Sequence, residues 1–308
     1  MIKGVKKDYP LADETTFKIG GPAEFFIEAE NRRDLEATVM EAYTAGLKTT
    51  ILGGGSNVLV SSEGVAGVTV KLRSGDIEFL DTDLIRVDAG TSLPRLSTFS
   101  YQNSFTGLEW AMGVPGTLGG AVYGNAGAFG QSIADVVEEV EVLEKGKKEV
   151  LGIEEIDFSY RSSTFKERGL TILSASLRLE KDDESKIKDK IDRYLSHRNR
   201  CHPMSFACAG STFKNPIGKI EDEELLKEFP EIEEFNKGGV IPAGYLIEAV
   251  GLKGVSVGGA KFSEKHANFI INEGGAGSED VKRLINEAIS KVKTKFGVDL
   301  EREIRYIG

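Results

Sequence analysis

A stretch of 25 residues without a charged side chain, 110–134, constrains this 308-residue chain more than any other segment. It is long enough to cross a membrane as a helix. However, it contains seven glycines together with Pro115, Asn125 and Gln131, which are residues of turns and loops rather than of a lipid-facing helix. The sequence therefore predicts an interior, glycine-lined ligand groove and no membrane span.

Glycine is in clear excess over the whole chain. There are 36 glycines, which is about 12% of the residues against an ordinary ~7%. They occur in clusters rather than in a G-X-Y period, and such clusters are typical of loops that let a phosphate approach the backbone. The length predicts two domains or three small ones, and the apolar and charged fractions are those of a globular protein.

The charge balance and the cysteine count narrow the class of protein. The formal net charge of −10 makes a broad nucleic-acid-binding face improbable but allows a small basic pocket for an anionic ligand. Two cysteines cannot form a disulfide framework, and the first eight residues lack the apolar core of a signal peptide. We therefore expect a protein of the reducing cytoplasm.

The first part of the chain alternates strands with one helix. Residues 24–30, 49–52 and 58–60 have the pattern of strands, and Asn31 is placed to cap a helix that ends at Gly46. A glycine turn separates the second and third strands. The structural unit predicted here is therefore a strand, a glycine turn and a strand.

The remaining sequence indicates an α+β protein rather than a doubly wound one. Between 65 and 179 short strands predominate, interrupted by one helix that Ser92 opens. The charged run 181–184 marks a boundary or a solvated helix start. Beyond it we predict a helix introduced by Pro242, a long helix capped by Ser278 and ended by Gly297, and a terminal strand at 300–307.

Two glycine-dense loops are the main candidate ligand site. The loop 53–57 (GGGSN) offers consecutive backbone N–H groups, and the segment 113–128 adds the side chains of Thr117 and Asn125 as hydrogen-bonding groups. Together they could bind one extended dinucleotide from two sides, although an ordinary tight turn and a structural glycine-rich corner remain alternatives. The chain contains no G-x-x-x-x-G-K-[ST] and no G-x-G-x-x-G motif, which removes the main support for a P-loop or Rossmann protein.

Two further segments carry candidate catalytic groups. Arg161 lies between aromatic residues, where a rigidly held guanidinium could bind a carboxylate, or it is a surface arginine that covers a ring. Ser211 follows a flexible glycine and precedes Lys214 by three residues, an arrangement that suits proton delivery and anion binding or an ordinary turn.

A metal centre and a serine triad are both disfavoured by spacing. His197, Cys201, His202 and Cys208 lie within 12 residues but include no C-x-x-C pair and match no common zinc pattern. Ser211 lies in no G-x-S-x-G elbow. We expect no metal.

Seven segments, taken together, resemble the UDP-N-acetylenolpyruvoylglucosamine reductase (MurB) family. They occur in order along nearly the whole chain: 16–21 (TFKIGG), 53–57, 107–128, 160–162 (YRS), 210–216 (GSTFKNP), 263–270 (SEKHANFI) and 300–308 (LEREIRYIG). The short stretch between Arg161 and Ser211 is similar to the family's second class, which lacks an insertion carrying a substrate-contacting tyrosine. Such an ordered series is far more specific than any one loop.

The resemblance implies an α+β fold of the FAD-binding, vanillyl-alcohol-oxidase (PCMH) type. The expected division is a first FAD-binding subdomain at 1–66, a second at 67–182 and a smaller α+β substrate-binding domain at 183–299. The strand 300–308 is expected to pack back near the active site.

The resemblance also implies an activity and its cofactors. The expected reaction is the NADPH-dependent reduction of UDP-N-acetylenolpyruvoylglucosamine to UDP-N-acetylmuramate in peptidoglycan precursor synthesis, hence in cell wall biogenesis, cell shape and cell division. FAD would be held non-covalently, because neither glycine loop contains a histidine for a covalent link. The residues expected to bind it are Gly53, Gly54, Gly55, Ser56, Asn57, Pro115, Gly116, Thr117, Gly119, Gly120, Asn125, Ala126 and Gly127.

The family's catalytic positions correspond to Arg161, Ser211 and Glu303 in this sequence. Arg161 and a protonated Glu303 would stabilise the negative charge that develops beside the substrate carboxylate, and Ser211 would protonate C2. Lys214 or a water is the candidate relay for that proton.

NADPH and the UDP-sugar are expected to share one cleft in a monomer, since the chain has no separate Rossmann motif. The residues expected to bind the substrate are Tyr160, Arg200, Lys214 and Asn215. Another FAD-dependent oxidase or dehydrogenase of the same fold, or a non-catalytic nucleotide-binding protein, is the alternative.

Overall fold

The computed structural model describes residues 4–308. Its α-helices are α1 Arg32–Thr44, α2 Leu93–Gln102, α3 Leu118–Gly124, α4 Thr164–Arg168, α5 Glu184–Cys201, α6 Glu223–Glu228, α7 Ile232–Gly238, α8 Ala243–Ala249 and α9 Ser278–Phe296. Short 3-10 turns lie at Ala12–Glu14, Glu109–Ala111, Ile133–Asp135 and Ile153–Glu155.

The strands are distributed along the whole described chain. They are β1 Lys6–Pro10, β2 Pro22–Ala29, β3 Thr49–Leu52, β4 Val58–Val60, β5 Val65–Leu72, β6 Ile77–Phe79, β7 Leu84–Asp88, β8 Phe105–Thr106, β9 Gly127–Ala128, β10 Gln131–Ser132, β11 Val137–Glu144, β12 Lys147–Gly152, β13 Phe158–Ser159, β14 Ser162–Ser163, β15 Thr171–Arg178, β16 Glu180–Lys181, β17 Ala207–Ser211, β18 Ser256–Val257, β19 Ala260–Phe262, β20 Phe269–Asn272 and β21 Arg305–Ile307.

The first of two compact units comprises the described residues up to Pro10, Pro22–Gly55 and Val65–Arg200. It contains a four-stranded sheet in the order β1-β2-β5-β3, in which β1 is antiparallel and the other pairs are parallel. It also contains a five-stranded antiparallel sheet in the order β12-β11-β15-β7-β6. Side chains from both sheets belong to one hydrophobic core, with Val70, Val87 and Trp110 almost fully buried in it.

The second unit comprises Leu11–Gly21, Ser56–Gly64 and Cys201–Gly308. Its antiparallel sheet has the order β17-β20-β19-β18, and β21 pairs in parallel with β4. Helix α9 buries Val281, Leu284, Ile285, Ala288 and Val292 in a separate core, and their spacing is that of one helical face. The C-terminal strand therefore belongs to the same unit as residues 56–64.

Most of the predicted elements are confirmed, and their caps explain where helices begin. The Asn31 side chain accepts a hydrogen bond from the Asp34 amide, and the Ser92 hydroxyl accepts one from the Arg95 amide. The strands expected at 24–30, 49–52 and 58–60 are β2, β3 and β4. The mixture of antiparallel and parallel sheets confirms an α+β protein.

Two predicted boundaries were wrong. Gly277, not Ser278, is the N-cap of α9, because the Asp280 carboxylate accepts from the Gly277 amide while the Ser278 amide donates to the Ser62 hydroxyl. The expected strand at 300–307 is regular only at Arg305–Ile307, since only those residues pair with β4.

The predicted division into three domains stays a prediction. Helix α5, which was assigned to the substrate-binding domain, lies in the first unit, because its Tyr194 is part of that unit's core. No helix within residues 4–308 is long and apolar enough to cross a membrane.

Candidate active site

The two glycine loops contact each other within the first unit. A Cβ atom added at Gly54 would lie 2.6 Å from the Cα of Gly116, and one at Gly53 would lie 2.4 Å from Oγ1 of Thr117. Real Cβ atoms do not approach other atoms so closely, so any side chain at these positions would push the loops apart. The structure thus brings the predicted loops together, and glycine is required there by their contact.

The first loop also spans the division between the two units. Gly53, Gly54 and Gly55 belong to the first unit, whereas Ser56 and Asn57 belong to the second. Gly55 has a φ of 64°, a conformation that glycine adopts without strain. The Asn57 carbonyl accepts a hydrogen bond from the amide of Arg305, the first residue of β21.

The second loop leads into helix α3, and the first two amides of this helix already donate hydrogen bonds to backbone carbonyls. The amides of Leu118 and Gly119 donate to the carbonyls of Thr91 and Ala89, at 2.8 and 2.9 Å. The Thr117 hydroxyl accepts from the Gly120 amide and so acts as a helix cap. A Cβ at Gly119 would lie 2.8 Å from that of Ala89. Gly119 is therefore closely packed against Ala89, and its contact with a ligand stays a prediction.

Other members of the second loop leave room and polar atoms for a ligand. Gly120 is exposed, and a Cβ there would meet only Oγ1 of Thr117, at 3.8 Å. Asn125, with a φ of 44°, follows the last turn of α3, and its buried Oδ1 has no hydrogen-bond partner among residues 4–308. An orphaned buried acceptor and an unfilled glycine face on one loop segment suit a bound polar ligand.

Several residues of the second loop are fixed to neighbouring segments by backbone hydrogen bonds and close packing. The Ala126 amide donates to the Ala121 carbonyl, and the Gly116 carbonyl accepts from the Leu93 amide. A Cβ at Gly127 would lie 2.2 Å from the Gln131 carbonyl oxygen, so the β9–β10 turn also requires a glycine. Pro115 is exposed, and it directly precedes Gly116, the residue in close contact with Gly54.

Arg161 is held by backbone carbonyls of the second loop. Its Nη2 donates to the Gly127 oxygen at 2.8 Å and its Nη1 to the Asn125 oxygen at 3.3 Å. Arg161 occupies the turn of the β13–β14 hairpin with a φ of 58°, an uncommon conformation for a side-chain-bearing residue. Its guanidinium carbon lies 5.1 Å from the centre of the exposed Tyr160 ring. The aromatic contact predicted from sequence is present, and two backbone oxygens of the second loop fix the position of the guanidinium.

Ser211 ends strand β17 in the second unit. Cys208 faces Ile271 and Ser211 faces Phe269, so β17 has one residue more than β20 across this step. This bulge includes Gly210, whose φ of 76° suits glycine. Bulges of this kind turn a side chain out of the regular strand pattern, and Ser211 is half-buried at its end.

Ser211 and Glu303 lie on neighbouring backbone segments. The Glu303 amide donates to the Thr212 carbonyl at 2.8 Å, and Phe213 forms a bridge with Arg302. The side chain of Asn268, only 3% exposed, accepts from the Phe213 amide and donates to the Phe213 carbonyl. The structure thus brings two of the three predicted catalytic residues to adjoining positions within one unit, while Arg161 belongs to the other unit.

Asn268 was missed as a positioning residue by the sequence reading. It lies within the segment 263–270 that carries the family resemblance, but an asparagine in a polar stretch gives no sign that its side-chain amide pairs with the backbone of Phe213, 55 residues away. Only the fold shows that it supports residues 211–213.

The predicted substrate-binding residues are divided between the units. Lys214 forms an ion pair with Glu301, with 2.6 Å between Nζ and Oε1, and the Asn215 side chain accepts from the Ala243 amide at the start of α8. Both therefore flank the Ser211 and Glu303 segments. Tyr160 and Arg200 are exposed residues of the first unit. An ion-paired lysine is a weak proton relay, which leaves water as the other candidate relay for Ser211.

The histidine and cysteine cluster is dispersed by the fold. His197 lies in the first unit with its ring edge against Phe129, whereas His202 contacts the rings of His266 and Phe269 in the second. Burial raises the pKa of the Cys208 thiol, which disfavours the thiolate that metals bind. Among residues 4–308 no three His, Cys, Asp or Glu side chains are grouped as a metal site.

Family models match both parts of the chain. The model described as "FAD binding domain" matches residues 23–151, and the model described as "UDP-N-acetylenolpyruvoylglucosamine reductase, C-terminal domain" matches residues 202–307. The first match covers both glycine loops, and the second covers Ser211 and Glu303. Fold and site together define an FAD-dependent oxidoreductase.

Comparison with whole proteins gives the family. The chain is 40% identical over 300 residues to the UDP-N-acetylenolpyruvoylglucosamine reductase of Caldanaerobacter subterraneus subsp. tengcongensis, covering 97% of this chain and 92% of the relative. It is 38% identical over 303 residues to the Bacillus subtilis reductase, with the same coverage. The crystal structure of the Thermus caldophilus reductase (MurB) superposes with a TM-score of 0.77 at 31% identity, covering 99% of this chain and 98% of that one. The chain belongs to the UDP-N-acetylenolpyruvoylglucosamine reductase family.

This membership confirms the expected α+β FAD-binding fold and the flavin cofactor. The residues present fit FAD: the loops at Gly54 and Gly116 touch, Gly120 has an open face, and the buried Oδ1 of Asn125 lacks a protein partner. The individual cofactor contacts stay predictions.

Proposed function

We propose that this chain reduces the enolpyruvyl group of UDP-N-acetylenolpyruvoylglucosamine to UDP-N-acetylmuramate with NADPH as the reductant. The observation that carries this proposal is the match to a reductase over 97% of the chain, because it includes both the cofactor loops and the segments of Ser211 and Glu303. The product is a peptidoglycan precursor, so the proposed place of action is the cytoplasm and the proposed roles are in cell wall biogenesis, cell shape and cell division.

FAD, when bound, supplies the two-electron chemistry, accepting a hydride from NADPH and donating one to C3 of the enolpyruvyl group. The residues of this chain must then handle the negative charge that develops on C2 and the adjoining carboxylate of the substrate. The proposed binding set for FAD is the predicted one: Gly53, Gly54, Gly55, Ser56, Asn57, Pro115, Gly116, Thr117, Gly119, Gly120, Asn125, Ala126 and Gly127.

Arg161 is the proposed partner of the substrate carboxylate. Its guanidinium is anchored on the oxygens of Asn125 and Gly127, so its orientation is set before substrate binds. A preorganised planar cation stabilises developing charge without paying for reorientation during the reaction. The strained φ at Arg161 is consistent with such a role.

Ser211 is the proposed proton donor to C2, and Glu303 is the proposed hydrogen-bond donor to the developing charge. The bulge at Gly210 directs Ser211 out of the strand pattern, and the bond between the Glu303 amide and the Thr212 carbonyl fixes the two segments together. A carboxyl group can donate only when protonated, which requires a site that excludes water.

Lys214, Asn215, Tyr160 and Arg200 are proposed to bind the phosphates and sugar of either NADPH or the UDP-substrate. Use of one cleft by the two ligands in turn would explain why no separate dinucleotide motif is present. We propose that the enzyme works as a monomer.

An anaerobic assay tests the proposed function. NADPH should bleach the visible flavin absorbance, and the enolpyruvyl substrate should restore it with formation of the lactyl ether product. A chain that binds FAD but is not reoxidised by this substrate would exclude the reaction. Rapid reoxidation by oxygen, admitted to a separate reduced sample without the substrate, would favour an oxidase of the same fold.

A further inference from the structure

Arg198 is a buried cation that the sequence reading did not single out. It lies on α5 and is only 8% exposed. Its Nη2 donates to the Trp110 carbonyl at 2.9 Å, and its guanidinium carbon lies 5.4 Å from the centre of the Phe129 ring. Its Nε is buried without a hydrogen-bond partner among residues 4–308. One of its donors is therefore kept from water with nothing to bind.

No carboxylate of the described chain compensates the charge of Arg198. The pKa of its guanidinium is lowered by burial alone, with no acidic group opposing the effect. Removing a charge from water without a counter-charge costs several kcal/mol. A methionine could fill the same apolar space without that cost. The presence of arginine at this position therefore points to an anion that is not part of the protein.

The segment that Arg198 contacts contains other buried polar atoms without partners among residues 4–308. They are Nε1 of Trp110, Oδ1 of Asn125 and Oε1 of Gln131, and all three belong to the uncharged segment 110–134. Native proteins bury few such atoms, because each one forfeits its hydrogen bonds to water. Donors and acceptors left open together in the cofactor-binding segment indicate a ligand with both kinds of group.

Helix α5 holds this segment at two places. A Cβ at Gly113 would lie 2.8 Å from Leu195 Cδ2, so the start of the segment lies directly against the helix. Near its end, the Phe129 ring stacks on Tyr194 at 4.0 Å with the rings 2° from parallel. Arg198 follows Tyr194 by one turn of α5 and touches the same segment through Trp110 and Phe129. Its charge is consequently fixed to the cofactor segment rather than to the surface.

We propose that Arg198 is a further cofactor-binding residue, whose buried positive charge pairs with an anionic group of bound FAD. This inference rests on FAD as the cofactor. Two sources share that chemistry: the pyrophosphate, which is negative in both redox states, and the isoalloxazine ring, which gains a negative charge when it takes up two electrons and one proton.

The test compares Arg198→Met, Arg198→Lys and a control, Arg193→Met, in the flavin-loaded enzyme and after reversible removal of FAD. Arg193 is an exposed arginine of the same helix, stacked over the Tyr194 ring. The measurements are the Kd for oxidised FAD, the midpoint potential of the bound flavin and the denaturant midpoint of the apoprotein.

Arg198→Met should leave the apoprotein as stable as the wild type or more so, because it removes an uncompensated buried charge. If the pyrophosphate is the partner, the Kd for oxidised FAD rises about tenfold or more and the potential stays constant. If the ring is the partner, the reduced state is weakened about tenfold relative to the oxidised state, which lowers the potential by about 30 mV. Arg198→Lys keeps the positive charge, so it should show only a small part of either change.

Two results would overturn the proposal. The first is a Kd and a potential for Arg198→Met that equal those of Arg193→Met. The second is a loss of FAD that goes with a lower apoprotein midpoint, equally in Arg198→Met and Arg198→Lys, since that would show a structural role. Failure of the proposed function is distinguishable, because it would appear in the wild type as absent flavin or absent turnover.

Discussion

The guanidinium of Arg161 and the backbone oxygen of Gly127 are joined by a 2.8 Å hydrogen bond. This bond connects a predicted catalytic side chain to a loop predicted to bind the flavin. Any movement of the 125–127 turn is therefore transmitted to Arg161, so cofactor binding and charge stabilisation share one support.

Replacing Arg161 with lysine should slow substrate-dependent reoxidation much more than reduction by NADPH. Lysine keeps the charge but loses the planar arrangement that reaches both carbonyls, so we expect a loss of about 10²-fold in reoxidation. Stopped-flow measurement of each half-reaction separates the steps, and Arg168→Lys, an exposed change nearby, is the control. Equal losses in both half-reactions would assign Arg161 to general binding.

Replacing Ser211 with alanine should leave FAD binding and reduction by NADPH intact, because neither uses the serine proton. Reoxidation by substrate should fall by ~10²–10⁴, as for a lost general acid, and Ser211→Cys should recover part of the rate because a thiol is more acidic. Single-turnover reoxidation in deuterated water, with deuterium located in the product, is the measurement. The exposed Ser205→Ala serves as the control. If Ser211→Ala reoxidises at the normal rate and gives normal deuterium at C2, a water or Lys214 is the proton donor instead of Ser211.

Replacing Gly54 with alanine should weaken FAD binding, because the new Cβ would lie 2.6 Å from the Gly116 backbone and push the loops apart. We expect the Kd for FAD to rise at least about tenfold. Gly238→Ala in helix α7 is the matched control, since a Cβ there meets nothing within 4 Å. Retention of wild-type affinity by Gly54→Ala would mean that the contact between the loops does not shape the cofactor site.

The purified protein should be yellow with releasable FAD. Neither loop 53–57 nor segment 113–128 contains a histidine or cysteine to form a flavin link. Acid precipitation followed by a visible spectrum of the supernatant measures the release. Colour that stays in the pellet would contradict non-covalent binding.

Glu109 should make the first unit sensitive to acid. Burial raises the pKa of this carboxyl, but hydrogen bonds from Thr106, the Gly107 amide and Lys190 outweigh it, so its pKa lies below the usual 4.5. A lowered folded-state pKa stabilises the protein above the unfolded value and stops doing so as the pH falls through the folded value.

Glu109→Gln should therefore lower the denaturant midpoint near neutral pH, and its difference from the wild type should shrink as the pH falls below about 4.5. Unfolding curves between about pH 7 and about pH 3 measure this. The exposed Glu221→Gln is the control. A difference that stays constant over the whole range would show that the ionised carboxylate contributes nothing.

Local sequence predicted the elements well where local physics decides them. Asn31 and Ser92 cap their helices because a side-chain oxygen next to the first turn satisfies an amide of that turn, and this needs no distant partner. At Ser278 the same reasoning failed. Ser278 exchanges hydrogen bonds with Ser62, 216 residues earlier, and leaves the cap to Gly277.

Some features of the candidate site were likewise predictable from local sequence, and others were not. The glycine clusters predicted a possible dinucleotide site, because each glycine-dense loop is local in the chain. The resemblance of the ordered segments predicted a flavin protein and its family. The sequence could not tell which glycines are closely packed: a Cβ at Gly119 or Gly127 would meet neighbouring atoms, whereas Gly120 leaves its face open.

The sequence by itself determined the class of protein, the order of its elements and the residue types available for chemistry. Only the tertiary structure decided that Arg161 is anchored on Asn125 and Gly127, that Lys214 is paired with Glu301, and that Arg198 is buried without a counter-charge. These are relationships between residues far apart in the chain. Their energies depend on burial and distance, which arise only when the strands and helices pack.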